Sequence, residues 1–424
     1  MLTFMASMAC VAQESSIVLE NNDGFRLSQA KRLSLMVKKD IDSNVRVQLS
    51  NGSYWKHTAT WYDGKGEWQK LVFDFTSSGI ADIPTQIAIY PTTDEVEGEQ
   101  DIYVDNIVLE DAPMVNGVLL SQIADGSLSG ELTLTGSWMK GRCMNTDSNP
   151  WAEVVYDDFS TLGAKLSSKV TSIDMRGTVT KDVQIVRLFS NPNTVVYADE
   201  QYAHANVIVG GNSPSVELED SYAFAVPEGF AARSVTLKRG VRAGINSFVL
   251  PFDVDASEVG AVSVATYGDN QDGTGQSVVF DKSESVAANI PFITVDAEAA
   301  SLMSFSDKMF MPTPSEFGNV FRGVYAPQSA EGLYGIDSNG KLHRGGSKAS
   351  IASFHAYLVG AACQTSVMVA FSDVTTGIEK LKGVAVGADP NVYDLCGRRV
   401  GTLADLHSLA KGIYIMGGKK IANH

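Results

Sequence analysis

Apolar and polar positions alternate with a period of two in short runs along this chain. About every 8 to 12 residues the runs are broken by Asn-Gly, Asp-Gly, Gly-Asn or Pro, the punctuation of packed sheets rather than of helix bundles. Strands are expected at Arg32–Lys38, Asn44–Leu49, Trp68–Phe75, Gln86–Tyr90 and Asp101–Leu109. A second group covers Glu131–Thr135, Val170–Met175, Thr194–Tyr197, Ala205–Val209 and Val216–Leu218, with one short helix from Asp158 to Lys165. A third covers Ser234–Gly240, Ile245–Phe252, Asn289–Ile293, Gly323–Tyr325, Leu333–Tyr334 and Ile351–Leu358. Thr, Val, Ser and Gly dominate these runs and helical periodicity is scarce, so the fold class is all-β.

The order of the first five runs carries more than any one of them. A strand ending Val-Lys-Lys-Asp is followed by Val-Arg-Val-Gln-Leu, Gly-Glu-Trp-Gln-Lys-Leu-Val-Phe-Asp-Phe, Ile-Ala-Ile-Tyr-Pro and Ile-Tyr-Val-Asp-Asn-Ile. This resembles the later strands of galactose-binding-like jelly rolls, the fold of many carbohydrate-binding modules. The resemblance implies an N-terminal jelly-roll β-sandwich over residues 15–112, with its opening strands reduced to a short stretch before Phe25. Sheet edges would then be exposed, and the natural chain is expected to start upstream.

Residues 113–235 are read as a β-rich surface-protein domain. Ser172-Ile-Asp-Met-Arg-Gly177, Asn191-Pro-Asn-Thr-Val-Val-Tyr197 and Asn206-Val-Ile-Val-Gly-Gly211 resemble a segment of Bacteroidales surface proteins that sits beside solenoid-like β elements. One such strand and turn is too few to count as a repeat array. Residues 236–375 are read as a further β-sandwich domain. Phe354-His-Ala-Tyr-Leu358 and the Leu250-Pro-Phe252 run resemble a surface sandwich of the same bacteria, with Ile245 where tryptophan usually stands. Residues 376–424 form a linker and a small hairpin module. Its Tyr393-Asp-Leu-Cys-Gly-Arg-Arg-Val400 and Lys411-Gly-Ile-Tyr-Ile-Met-Gly-Gly-Lys-Lys420 are similar to the type IX secretion sorting tail of Bacteroidales proteins, in a shorter form. That resemblance implies a secreted or cell-surface location, with attachment at the outer surface. Residues 1–14 are read as the remnant of a signal peptide, apolar with small residues before Gln13 but without a basic start.

Charge and cysteine usage narrow the partners. The formal net charge is −16, from 33 basic and 49 acidic residues, and basic runs are short. Nucleic acid is therefore not expected as a partner. Outside the N-terminus, apolar runs are too short to span a membrane, so no transmembrane segment is expected. Cys10, Cys143, Cys363 and Cys396 are widely spaced and do not follow a zinc-site pattern.

Candidate chemistry concentrates in the first block. Tyr54, Trp55, Trp61, Tyr62 and Trp68 fall within fifteen residues, although aromatic residues make up 9% of the chain. Flat rings stack on the C–H faces of sugars and need little ordering to do so. Trp68 is expected in the core, by analogy with its strand in the resembled modules. Tyr54, Trp55 and Trp61 flank the polar turns at Asn51-Gly52 and Asp63-Gly64, where either rim packing or a ligand platform is open to them. Gln48, His57 and Arg46 are the polar neighbours able to read hydroxyls, or simply solvated outward positions.

The acidic loop Asp94–Asp101 carries five carboxylates in eight residues, which either hold calcium through oxygen ligands or form a solvated loop, since no EF-hand pattern is present. Asp105 is the metal candidate, because resembled jelly rolls often hold a structural calcium near that strand; no other cofactor is expected. Gly268–Gly275 reads as a glycine-rich turn. The nucleophile-elbow, phosphate-loop and His-Glu-x-x-His patterns are absent, and Ser28-Gln-Ala-Lys31 lacks the companion motifs of its class. The expectation is a non-catalytic protein binding a polysaccharide or other glycan through Tyr54, Trp55, Trp61, Gln48 and Arg46. The alternative is a structural or adhesive surface protein that recognises protein partners, with the jelly roll as spacer.

Overall fold

A computed structural model describes residues 6–10, 16–20, 26–27, 31–75, 80, 83–91, 100–145, 152–178, 184–268, 277–317, 320–360, 367–373, 391–394, 398–402, 409, 411–416 and 419–423. The protein is all-β, with two compact units. Unit 1 runs to Lys238 and adds Ser304–Thr313 and Tyr325–Pro327, and unit 2 holds the remainder. No helix among the described residues is long and apolar enough to cross a membrane.

Unit 1 begins with β1 (Ala6–Cys10), β2 (Ile17–Glu20), β3 (Arg32–Lys39), β4 (Ser43–Asn51), β5 (Tyr54–Tyr62), β6 (Gln69–Asp74), β7 (Gln86–Tyr90) and β8 (Gln100–Glu110). They form two sheets of order β1-β8-β3-β6 and β2-β7-β4-β5, the pairing of an eight-stranded jelly roll. Two strands, β1 and β2, thus precede Phe25. The segment read as a leader remnant contributes β1, which pairs antiparallel with β8 from Ala6↔Val104 to Cys10↔Gln100. Period-two alternation puts Leu33, Leu35 and Val37 of β3, Val45, Val47 and Leu49 of β4, Leu71 and Phe73 of β6, and Ile87 and Ile89 of β7 into one core.

The chain continues through β9 (Met114–Val115), β10 (Val118–Leu119), β11 (Leu128–Thr135), β12 (Lys140–Asn145), β13 (Ala152–Asp157), α1 (Asp158–Lys165), β14 (Leu166–Asp174), β15 (Val195–Ala198) and β16 (Val207–Val209). The β12–β13 hairpin crosses the expected boundary at residue 112 and joins the jelly roll, pairing with β5 at Met144↔Ala59 and Asn145↔Thr58. Helix α1 spans the residues the sequence predicts. The Asp157 side chain caps it by accepting the Ser160 N–H at 2.9 Å, and Phe159 and Leu162 face the core.

Strands β11, β14, β15 and β16 lie parallel, with Leu132, Ile173, Val196 and Val207 stacked in one line. This is a ladder of rungs, where the sequence reading found too few units. The stacked residues are 41, 23 and 11 positions apart along the chain (Leu132 to Ile173, Ile173 to Val196, Val196 to Val207), so no fixed period reaches the sequence. Buried asparagines hold the turns. The Asn193 amide donates to Glu219 O at 2.8 Å and Tyr222 O at 3.0 Å and accepts the Glu219 N–H at 2.7 Å. Asn206 repeats the arrangement with Pro192 O, Glu217 O and the Glu217 N–H.

Ladder and jelly roll share a buried ionic knot. Arg32 of β3 donates two hydrogen bonds to Asp158 of α1, at 2.7 and 3.0 Å, and a third to Asp74 of β6 at 3.0 Å. Asp158 also accepts the Met139 N–H at 2.8 Å. Burial opposes the guanidinium charge, but Asp158 and Asp74 together hold Arg32 further on the protonated side than an ordinary arginine.

Unit 2 contains a five-stranded sheet ordered Ser247–Phe248, Phe292–Val295, Ser263–Tyr267, Ser277–Ser283, Met368–Asp373. A four-stranded sheet is ordered Phe321–Val324, His355–Leu358, Tyr334–Ile336, Leu342–Arg344. Val278, Phe280 and Ile293 of the first meet Phe321, Leu342 and Leu358 of the second in one core, as the sequence reading of a sandwich requires. The tail forms its own antiparallel sheet, Arg399–Thr402, Asn391–Tyr393, Gly412–Met416, Lys419–Asn423, packed around Val392.

Candidate ligand-binding face

The outer face of the β2-β7-β4-β5 sheet follows from register. The buried apolar side chains of β4 are Val45, Val47 and Leu49, so by alternation Asn44, Arg46, Gln48 and Ser50, the last of them also buried, lie on the other face. Their partners on β5 are Trp61, Ala59, His57 and Trp55. On β7 the partners of Arg46, Gln48 and Ser50 are Tyr90, Ala88 and Gln86. One face therefore carries Trp55, His57, Ala59 and Trp61 along one strand, with Ser50, Gln48, Arg46 and Asn44 beside them.

Trp55 is 51% exposed and Trp61 49%. Six residues at about 3.4 Å each separate the two indoles by roughly 20 Å along the strand. Between them the His57 ring stacks on Trp55, centroids 5.3 Å apart and 26° between planes, and Ala59 is buried. Arg46 lies 4.0 Å from the centre of the Tyr90 ring. Among the described residues Arg46 makes no ion pair, and its buried Nε has no hydrogen-bond partner. Gln48 Nε2 lies 3.5 Å from Ser50 Oγ, and Gln86 Nε2 donates to Glu20 Oε1 at 2.7 Å at the outer edge.

Trp55, Trp61, Gln48 and Arg46 are thus brought onto one surface, and Tyr54 is not. Tyr54 is the first residue of β5 and has the opposite parity; it is 48% exposed at the hairpin end, with Lys56 Nζ 5.4 Å from its ring centre. Tyr90 joins the face although the sequence reading left it out. The alternation of Gln86, Ala88 and Tyr90 with buried Ile87 and Ile89 is the signal that finds it. Trp68, expected in the core, is 42% exposed on the other sheet, where it packs against Tyr103 at 6.5 Å. Parity explains the difference, because Leu71 and Phe73 point inward and Trp68 falls with Lys70 and Val72 on the outside.

The structure places Asp105 on β8 at a bulge. The register with β3 slips between Ser34↔Val108 and Met36↔Asp105, and the Asp105 carboxylate accepts the N–H of Asn106 at 2.7 Å, where the chain turns through φ +49°. Among the described residues no group of three or more His, Cys, Asp or Glu side chains could hold a metal ion. Most of the acidic loop Asp94–Asp101 and of the turn Gly268–Gly275 lies outside the described residues. A buried positive charge in this jelly roll belongs to Lys39, whose Nζ donates to Ser43 O at 3.1 Å and Pro91 O at 2.8 Å and lies 5.4 Å from the centre of the Tyr62 ring.

No protein-family model matches the chain, and no curated protein is similar to it.

Proposed function

We propose that this chain is a non-catalytic, secreted or cell-surface protein that binds a glycan on the outer face of β4 and β5. The observation that carries the reading is the pair of half-exposed indoles, Trp55 and Trp61, on one face of one strand with hydrogen-bonding side chains between them. Half-exposed indoles on one face offer flat apolar surfaces on which a partner can stack. A sugar chain lying along β5 stacks its apolar faces on the two indoles, and Gln48, His57 and Arg46 reach its hydroxyls. A shallow face of this kind gives weak binding, on the order of 10 µM to 1 mM, strengthened where several copies meet one polymer. The sorting-like tail supports delivery to the outside of a cell.

The test is a glycan array with the full chain, followed by affinity electrophoresis in gels containing the polysaccharides that score. The Trp55→Ala, Trp61→Ala double variant is expected to lose binding while keeping its fold. Failure of the wild-type chain to bind any glycan defeats the proposal.

A further inference from the structure

We infer that the glycan bound on this face is acidic, carrying a carboxylate or sulfate that pairs with Arg46; the inference rests on the reading above. In a chain with 49 acidic and 33 basic residues, a half-buried arginine would ordinarily be found against a carboxylate. Arg32 and Arg176 of the same unit follow that rule, each held between two carboxylates. Arg46 departs from it. Among the described residues it makes no ion pair, and its Nε is buried without an acceptor.

The side chain is nonetheless fixed in place. Its guanidinium lies 4.0 Å from the Tyr90 ring centre, and its partner on β5 is Ala59, a small side chain. Stacking on an aromatic ring while the planar fork of donors stays available is an arrangement suited to receiving an anionic oxygen pair. Ala59 is four residues from Trp55 and two from Trp61, or about 14 and 7 Å along the strand. The charge therefore lies on the β7 side of the line a chain would follow between the indoles, over Tyr90.

The net charge of −16 does not oppose this at close range, because charges farther than about 8 Å are largely screened at physiological salt. A single arginine between two indoles suits a polymer with spaced charges and stacking faces. It does not suit nucleic acid, whose dense phosphates call for a cluster of basic groups.

The test uses the full chain in affinity gels containing polygalacturonate, the same polymer after carboxyl reduction, or dextran sulfate. The expected result is retardation by an acidic polymer and little by the reduced one. Arg46→Gln should weaken binding at least tenfold and Arg46→Lys, which keeps the charge but loses the fork, by an intermediate factor. Thermal unfolding of both variants checks that the fold is kept. Retardation by polygalacturonate assigns a carboxylate, and retardation by dextran sulfate alone assigns a sulfate. Equal retardation by the reduced polymer, unchanged in Arg46→Gln, overturns the inference and leaves the Trp55 and Trp61 reading standing. No retardation by any of the three, with array hits confined to neutral glycans, also overturns it; an empty array removes both.

Discussion

Removing Asp158 tests the ionic knot between jelly roll and ladder. In Asp158→Ala, Arg32 loses both hydrogen bonds to that carboxylate and keeps Asp74, and the Met139 N–H loses its acceptor. Breaking a buried pair by deleting one partner costs about 3 to 5 kcal/mol, because the remaining charge is stranded out of water. Asp74 still neutralises part of that charge, which moves the estimate to the lower end. The orphaned N–H adds about 1 kcal/mol, so the expected loss is about 4 kcal/mol. No tryptophan falls among the residues of unit 2. Urea unfolding followed by tryptophan fluorescence therefore reports on unit 1 while unit 2 is silent. The Arg32→Ala, Asp158→Ala double variant should lose less than the sum of the two single variants. A loss below about 1 kcal/mol in Asp158→Ala, or strict additivity in the double variant, would refute the assignment of the knot as the tie between the two sheets.

Three other outcomes follow from the same geometry. Burial would raise the Glu110 carboxyl, but hydrogen bonds from Lys70, Ser34 and Ser137 overcome it and hold the group below its usual 4.5. A depressed carboxylate contributes stability above its unfolded pKa and loses it as pH falls through the lower folded value. The advantage of wild type over Glu110→Gln in thermal unfolding should therefore be full near pH 6 and shrink below about pH 4.5, and a pH-independent difference would contradict this. Asn193→Asp swaps the amide donor for an acceptor facing Glu219 O and Tyr222 O; about 3 kcal/mol should be lost in urea unfolding, and a neutral result would show that the amide does not hold the rung turn. Trp68→Ala on the outer face should cost no more than about 1.5 kcal/mol, against about 3 to 5 kcal/mol for Phe73→Ala in the core, and similar costs for the two would argue that Trp68 is buried.

Much of the fold is legible in the residues because alternation and turn chemistry are local. β3, β4, β6, β7 and β8 fall where their apolar spacing puts them, and α1 is announced by an aspartate cap before Phe159 and Leu162. What the sequence hides is pairing between distant segments. Nothing in Lys140–Asp157 says that this hairpin adds to β5, since strand partners are chosen by edges and register rather than by local composition. The ladder stays hidden because its connections differ in length, although the buried Asn193 and Asn206 mark its turns. For the binding face, the aromatic cluster was visible, but membership turns on parity. Counting in twos from Val45, Val47 and Leu49 admits Trp55 and Trp61, excludes Tyr54, and brings in Tyr90 from a strand without any tryptophan. The same count from Leu71 and Phe73 moves Trp68 outside.

The most direct measurement is affinity electrophoresis of the wild-type chain beside Trp55→Ala, Trp61→Ala in gels containing a polysaccharide selected on the array. The account predicts retarded migration of wild type, its loss in the double variant, and unchanged thermal unfolding in both. Equal retardation of the two proteins would place the binding elsewhere on the molecule and contradict the assignment of the β4–β5 face.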